Sequence, residues 1–261
     1  MNSGVRWQIQ RVARTGELFL LALGVWFAPS SAGLEVDCRA CDFCKGKPDL
    51  EPDLTARIKK HIAAGKSAEE IAKAEGGAAI IRPPIEVWAN HHPAAVQPDL
   101  IKLKYRGSNL PNNLLFHSYE PCVNIAGVCI GTDKLGHLFQ QGWEYYQISV
   151  IDKKGDRMAV RYGEWLEGKE ERSAYVADEV YFKRQFSGRL LGYGGFGRTM
   201  SGVISNADLA ANKAGLQLYK DLKAGRFKSM RDYISGLLCE EINRNEYTPE
   251  MKKIVEKNGG R

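Results

Sequence analysis

Ala207, Ala211 and Gly215 recur every four residues along a stretch that also carries Leu209, Leu216, Leu218, Tyr219 and Leu222. That periodicity predicts a helix with an apolar face, and small side chains at this spacing leave a groove into which a second backbone can settle. Such a helix requires a partner that crosses it at close range. Ser205-Asn206-Ala207-Asp208 opens the stretch in the manner of a capping box, a serine followed three residues later by an acid. Asp208 and Asn212 then lie one helical turn apart.

The natural partner is Thr132 to Tyr146, reading T-D-K-L-G-H-L-F-Q-Q-G-W-E-Y-Y. Leu135, Leu138, Phe139 and Tyr146 mark its buried stripe, and Thr132 or Asp133 is placed to cap it. Asp133 and His137 share a face one turn apart, and Glu144 lies two turns beyond His137, close to the same line. Two helices that each carry a polar pair beside a packing stripe can enclose a small polar site, with Asp133, His137, Asp208 and Asn212 as its reactive members. The bland alternative makes Asp133 a cap and His137 a hydrogen-bonded core residue.

The chain has 261 residues and a formal charge of +6. Met1 to Gly33 begins with Arg6, Arg11 and Arg14, runs apolar from Leu18 to Phe27, and exits through Pro29-Ser30-Ser31-Ala32. This is the pattern of a secretory signal peptide, cleaved near Ala32, and it predicts an exported protein, periplasmic or secreted. Ten apolar residues are too few for a comfortable membrane span, and nothing after them is longer. Without that segment the charge falls to about +4. A mild, dispersed excess suits an anionic envelope partner, a lipid headgroup or glycan, and is too dilute for nucleic acid. The expected organisation is a signal peptide (1–33), a cysteine-rich hairpin with a Pro/Asn-rich connector (34–113), and a helical domain with the site (114–261). The fold class is mainly α, an irregular bundle whose loop-rich N-terminal part is stapled by disulfides.

Six cysteines, Cys38, Cys41, Cys44, Cys122, Cys129 and Cys239, allow three disulfides in an oxidising compartment. Cys122 and Cys129 are the most natural local pair, closing a loop just before Asp133. The other four can pair in three ways. The C-x-x-C-x-x-C spacing of the first three also admits a redox dithiol or a metal site. Pro52 to Ala74 reads as two short helices, the second capped by Ser67-Ala68-Glu69-Glu70. The connector that follows carries His91, His92 and His117, which with His137 and Asp133 are candidate metal ligands. The sequence itself names no metal and no cofactor.

Asp152 to Asp156 is a turn, Arg157 to Arg172 a predicted helix, and Ala174 to Leu191 another. Glu171 and Glu179 are further candidate acids. Gly192-Tyr193-Gly194-Gly195-Phe196-Gly197-Arg198 is a glycine-rich loop flanked by Arg189 and Arg198, placed to wall or cover the site. It lacks the strand and helix of a nucleotide fingerprint, and G-x-S-x-G is absent. The tail, Ser229 to Asn258, reads as one or two amphipathic helices, pinned to the body by Cys239.

Asp133-Lys134 with His137, followed by Asp208, Asn212 and Gly215, resembles the D-K-x-x-H and D-x-x-x-N-x-x-G pattern of VanZ-like envelope proteins and related small periplasmic lipoproteins. The resemblance covers about a third of the chain. It implies a mainly helical protein of the bacterial envelope with a shared polar site, and names no reaction. The chain differs from the first group in lacking several membrane spans, and from the second in lacking a lipidated cysteine. Residues 38–84, a dithiol followed by a helix and R-P-P, are locally similar to exported dithiol proteins of cytochrome c maturation.

Three functional classes follow. In the first, Asp133, His137, Asp208 and Asn212 bind or hydrolyse phosphorylated lipid or glycan envelope intermediates, with Lys134, Glu144, Arg189 and Arg198 holding the substrate. The second is a thiol-disulfide redox protein using Cys38, Cys41 and Cys44. The third is a non-catalytic scaffold whose polar pairs zip two helices together.

Overall fold

The computed structural model describes residues 43–77, 82–97, 104–107, 120–169 and 197–260. The chain is mainly helical. Helices α1 (Glu51–Ala63), α2 (Ala68–Glu75) and α3 (Pro84–Asn90) precede an antiparallel hairpin of β1 (Cys122–Ile125) and β2 (Val128–Gly131). Helix α4 leaves the hairpin as Asp133–Gly136 and continues through a π-turn at His137–Gln141, an α segment Gly142–Tyr146 and a second π-turn at Gln147–Ile151. Helix α5 spans Asp156–Glu167 and α6 Asn206–Lys223; β3 (Val203–Ile204) pairs with β4 (Glu246–Tyr247), and α7 (Pro249–Lys257) follows.

Local chemistry accounts for most of these boundaries. The expected capping box of α2 is present: the Glu70 amide donates to Ser67 Oγ, and the Ser67 amide donates to the Glu70 carboxylate. Thr248 caps α7 by accepting from the Met251 amide. Gly168, in the left-handed region at φ 74°, stops α5 at Glu167, short of the predicted Arg172. Ala126 and Gly127 take positive φ and turn the hairpin in two residues.

Helix α6 crosses α4 as its row of small residues requires. A β-carbon on Gly215 would lie 2.7 Å from the Gly142 Cα, and Ala207 and Ala211 are fully buried beside the crossing. The Tyr219 hydroxyl donates to the Phe139 carbonyl at 2.7 Å, meeting a carbonyl inside the first π-turn. Leu50 just before α1, Leu54 and Ile58 from α1, Ile71 from α2 and Ile85 from α3 join Leu138, Phe139, Tyr162 and Leu216 in one core. Residues on both sides of position 113 therefore share a single hydrophobic interior.

Three local expectations are corrected. Cys129 is bonded to Cys44, 85 residues away, and not to Cys122. The hairpin register explains this: Cys122 faces Gly131 and Asn124 faces Cys129, so the two cysteines stand diagonally, beyond disulfide reach. Cys122 and Cys239 are disulfide-bonded as well, and no cysteine among the described residues is free. Neither Thr132 nor Asp133 makes a side-chain cap of the expected kind. The Thr132 hydroxyl is directed among Asn90 Oδ1, the Glu120 carboxylate and the Pro121 carbonyl, while the Asp133 carboxylate accepts from the next amide, Lys134. The first tail helix is instead two 3₁₀ turns, Met230–Tyr233 and Gly236–Leu238. The signal segment, Cys38, Cys41, Pro98, Pro111 to Asn113, His117, Glu171, Glu179, the helix expected over 174–191, Arg189 and the glycine loop up to Phe196 lie outside the described residues.

Candidate functional site

Lys134 is the centre of the polar interior. Its side chain is fully buried, and its Nζ lies 2.6 Å from Asp133 Oδ2, 2.6 Å from Asp208 Oδ1 and 3.1 Å from Glu240 Oε1. Glu240 also receives Lys104, at 2.8 Å. A buried ammonium requires such company, because an isolated charge in a protein interior costs several kcal/mol. The acids come from three places: α4 itself, the first turn of α6, and the irregular tail after Leu238.

Helix α6 supplies both neighbours of His137. Asp208 Oδ2 lies 3.3 Å from its Nε2, and Asn212 Oδ1 lies 3.2 Å from its Nδ1. The one-turn spacing of Asp208 and Asn212 thus brackets the imidazole from both sides. Ser205 Oγ caps α6 by accepting from the Asp208 amide. The Asp208 side chain, which in a full capping box would turn back to the serine, is used by Lys134 and His137 instead. Asn212 continues the chain toward Gln141 Oε1, at 3.5 Å.

The electrostatics divide the carboxyls. Burial pushes Asp133 well above the usual carboxylate range against the pull of Lys134, and the nearby Asp208 and Glu240 push it further. Burial also works against charge on Asp208 and Glu240. At Asp208 a protonated His137 ring would oppose it, and the Lys134 ammonium and the Ser205 contact do so whatever the state of the ring; Lys104 and Lys134 outweigh it at Glu240, so both carboxyls are held below the usual range. Burial pushes His137 down, favouring the neutral ring despite Asp208. A neutral imidazole has one N–H, yet acceptor oxygens face both of its nitrogens. With Nδ1–H donated to Asn212, the Nε2 lone pair is directed at the Asp208 carboxylate.

Glu167, at the end of α5, completes this edge. One donor atom each from His137, Asp208 and Glu167 lies within 4.8 Å of the others. Gly163 is one turn before Glu167 on the same helix face, and a β-carbon there would collide with the Tyr145 hydroxyl. Only glycine lets α5 approach α4 closely enough to bring Glu167 in.

The four residues expected to react therefore gather in one place, together with Lys134. Their connections differ from expectation in one respect: Asp133 serves Lys134, and the carboxylate beside His137 is Asp208. Glu144 is elsewhere. Its carboxylate accepts from Tyr162 Oη at 2.8 Å, because the π-turn at His137–Gln141 adds a residue and rotates the later helix off the His137 line. Arg198 is exposed. His91 closes α3 on the Val87 carbonyl, and His92 pairs with Asp53 at 3.2 Å, so neither joins His137. Lys104, Glu167 and Glu240 were not found by sequence reasoning. Only Glu240 carried a signal, its adjacency to a cysteine pinned to the body.

Among the described residues no helix is long and apolar enough to cross a membrane. No protein-family model, curated protein or solved structure matches the chain.

Proposed function

We propose that the chain is an exported protein of the bacterial envelope that binds and hydrolyses a phosphorylated lipid or glycan intermediate at the His137–Asp208–Asn212 edge of its buried charge cluster. The observation that carries this reading is the bracketing of His137: a histidine 16% exposed in its side chain, with Asp208 at one nitrogen and Asn212 at the other, against a cluster otherwise almost wholly buried. A ring so fixed has a set orientation and presents a reactive nitrogen and a carboxylate oxygen side by side. The disulfides, the export-like first 33 residues, the mild positive charge and the D-K-x-x-H and D-x-x-x-N-x-x-G resemblance support the location and the anionic substrate class.

Vesicles containing a polyprenyl diphosphate, incubated with the full oxidised chain and a divalent salt, provide the test. Released phosphate is expected with the wild type and not with His137→Ala or Asn212→Ala, each checked for unchanged circular dichroism and unfolding midpoint. If the variants lose stability alone and turnover per folded molecule is unaltered, the reading fails.

A further inference from the structure

We infer that His137 Nε2, Asp208 Oδ2 and a Glu167 carboxylate oxygen form a binding site for one divalent cation of the zinc or manganese type. The inference deepens the reading of the same edge given above, by naming what occupies it.

Geometry carries the argument. Two donor atoms about 2.0–2.2 Å from a common cation, at angles of about 90–110°, stand roughly 2.9–3.5 Å apart. His137 Nε2 and Asp208 Oδ2 are 3.3 Å apart and so are already set. No third donor atom of the trio lies beyond 4.8 Å, and a movement of roughly 1 Å by the Glu167 side chain brings it to coordinating distance. The outer contacts have the form such a site needs. Asn212 Oδ1 faces Nδ1 at 3.2 Å, where it accepts from the ring tautomer that has Nε2 available to ligate, and Lys134 holds the other Asp208 oxygen at 2.6 Å.

A second observation points to a ligand independently. The Tyr145 hydroxyl is fully buried against Gly163 and in the field of Glu167, and makes no hydrogen bond of ordinary geometry, Asn212 beside it being a weak partner only. An orphaned buried hydroxyl costs about 1–3 kcal/mol. Water coordinated to a cation held by His137, Asp208 and Glu167 is a partner for it. One imidazole and two carboxylates match zinc or manganese, whereas calcium asks for six or more oxygens. With the cation bound, His137 is a ligand, and a water that loses its proton more easily through contact with the cation would supply the attacking oxygen.

The experiment uses the full oxidised chain, stripped with a chelator and dialysed against ZnCl₂ or MnCl₂ with no substrate present. Metal content is measured by emission spectrometry and affinity by titration calorimetry. The wild type and His91→Ala, a surface histidine outside the site, are expected to hold one ion per chain. Glu167→Gln and Asp208→Asn are expected to bind at least about 100-fold more weakly. Asp208 also serves Lys134, so if Asp208→Asn fails to fold, Glu167→Gln decides the matter. Absence of a stoichiometric ion in the wild type, or unaltered affinity in folded Glu167→Gln, overturns the site. A chain that binds the ion as described and releases no phosphate overturns the hydrolase reading alone.

Discussion

Gly215→Ala tests whether the site depends on backbone contact between α4 and α6. The new β-carbon would fall against the Leu138 carbonyl oxygen, 2.9 Å from the carbonyl carbon and 2.7 Å from the Gly142 Cα. All of these are backbone atoms, so no side chain can rotate away. Ordinary carbon contacts are about 3.5–4.0 Å, and relief requires the helices to part by roughly 1 Å. Overpacking of this kind costs about 1–3 kcal/mol or more, against about 1 kcal/mol returned by alanine's better helix propensity. The net expectation is a loss of about 2 kcal/mol at the severe end, or a melting temperature lower by roughly 4–8 °C. The same separation carries His137 away from Asn212, now 3.2 Å, and from Asp208, now 3.3 Å, past hydrogen-bonding range. Urea unfolding gives the stability, nitrogen-15 spectra of the His137 ring report the local change, and Lys213→Ala on the exposed face of α6 is the control. A Gly215→Ala protein stabilised by about 1 kcal/mol, as propensity alone dictates, would refute the contact argument.

Two other perturbations probe the buried charges. Lys134→Met leaves Asp133, Asp208 and Glu240 without their shared ammonium and is expected to cost about 3–5 kcal/mol in urea unfolding, part of it recovered by adding Asp133→Asn; a near-neutral single variant would show that the cluster needs no central charge. Glu86, packed on Gly136 and near Glu120, is pushed from the usual 4.5 to about 7, chiefly by burial and then by Glu120, despite Arg82. A raised carboxyl contributes stability that is full below pH 4.5 and lost as pH rises through about 7. Glu86→Gln stays neutral throughout and is expected to flatten the pH dependence of the urea midpoint by about 3 kcal/mol; identical pH profiles in the two proteins would exclude this.

What was legible in the sequence was what repeats locally. The row Ala207, Ala211, Gly215 announced a close crossing, and the crossing is there, with Gly142 on the other side. Ser67 with Glu70, and the one-turn pair of Asp208 and Asn212, were visible for the same reason, since helical spacing fixes their geometry without reference to the rest of the chain. Positions set by distant partners were not visible. Cys44 and Cys129 are joined across 85 residues, and Lys104 and Glu240 reach Lys134's neighbourhood from irregular segments with no period to read. The π-turn misled in a specific way: one added residue leaves Asp133 and His137 before it in register and moves Glu144 after it toward Tyr162.

The cross-links and the buried charges are linked by position. Cys129 lies in the strand that feeds Asp133 and Lys134, and Cys239 is the residue before Glu240. Two segments that contribute acids to the Lys134 ammonium are thus covalently anchored next to those acids. Desolvating an ion pair costs several kcal/mol per charge, and the attraction offsets it only when the partners are held at short range. The stretch from Met230 to Glu240, built of two 3₁₀ turns and no longer helix, has little regular structure of its own to hold that range. The disulfide at Cys239 supplies the constraint that secondary structure does not. Asp208 needs no such anchor, because Ser205 caps its helix and Gly215 locks that helix onto α4. Each acid is therefore held by the means its own segment has: a hairpin and disulfide for Asp133, a capped and locked helix for Asp208, a cross-link for Glu240.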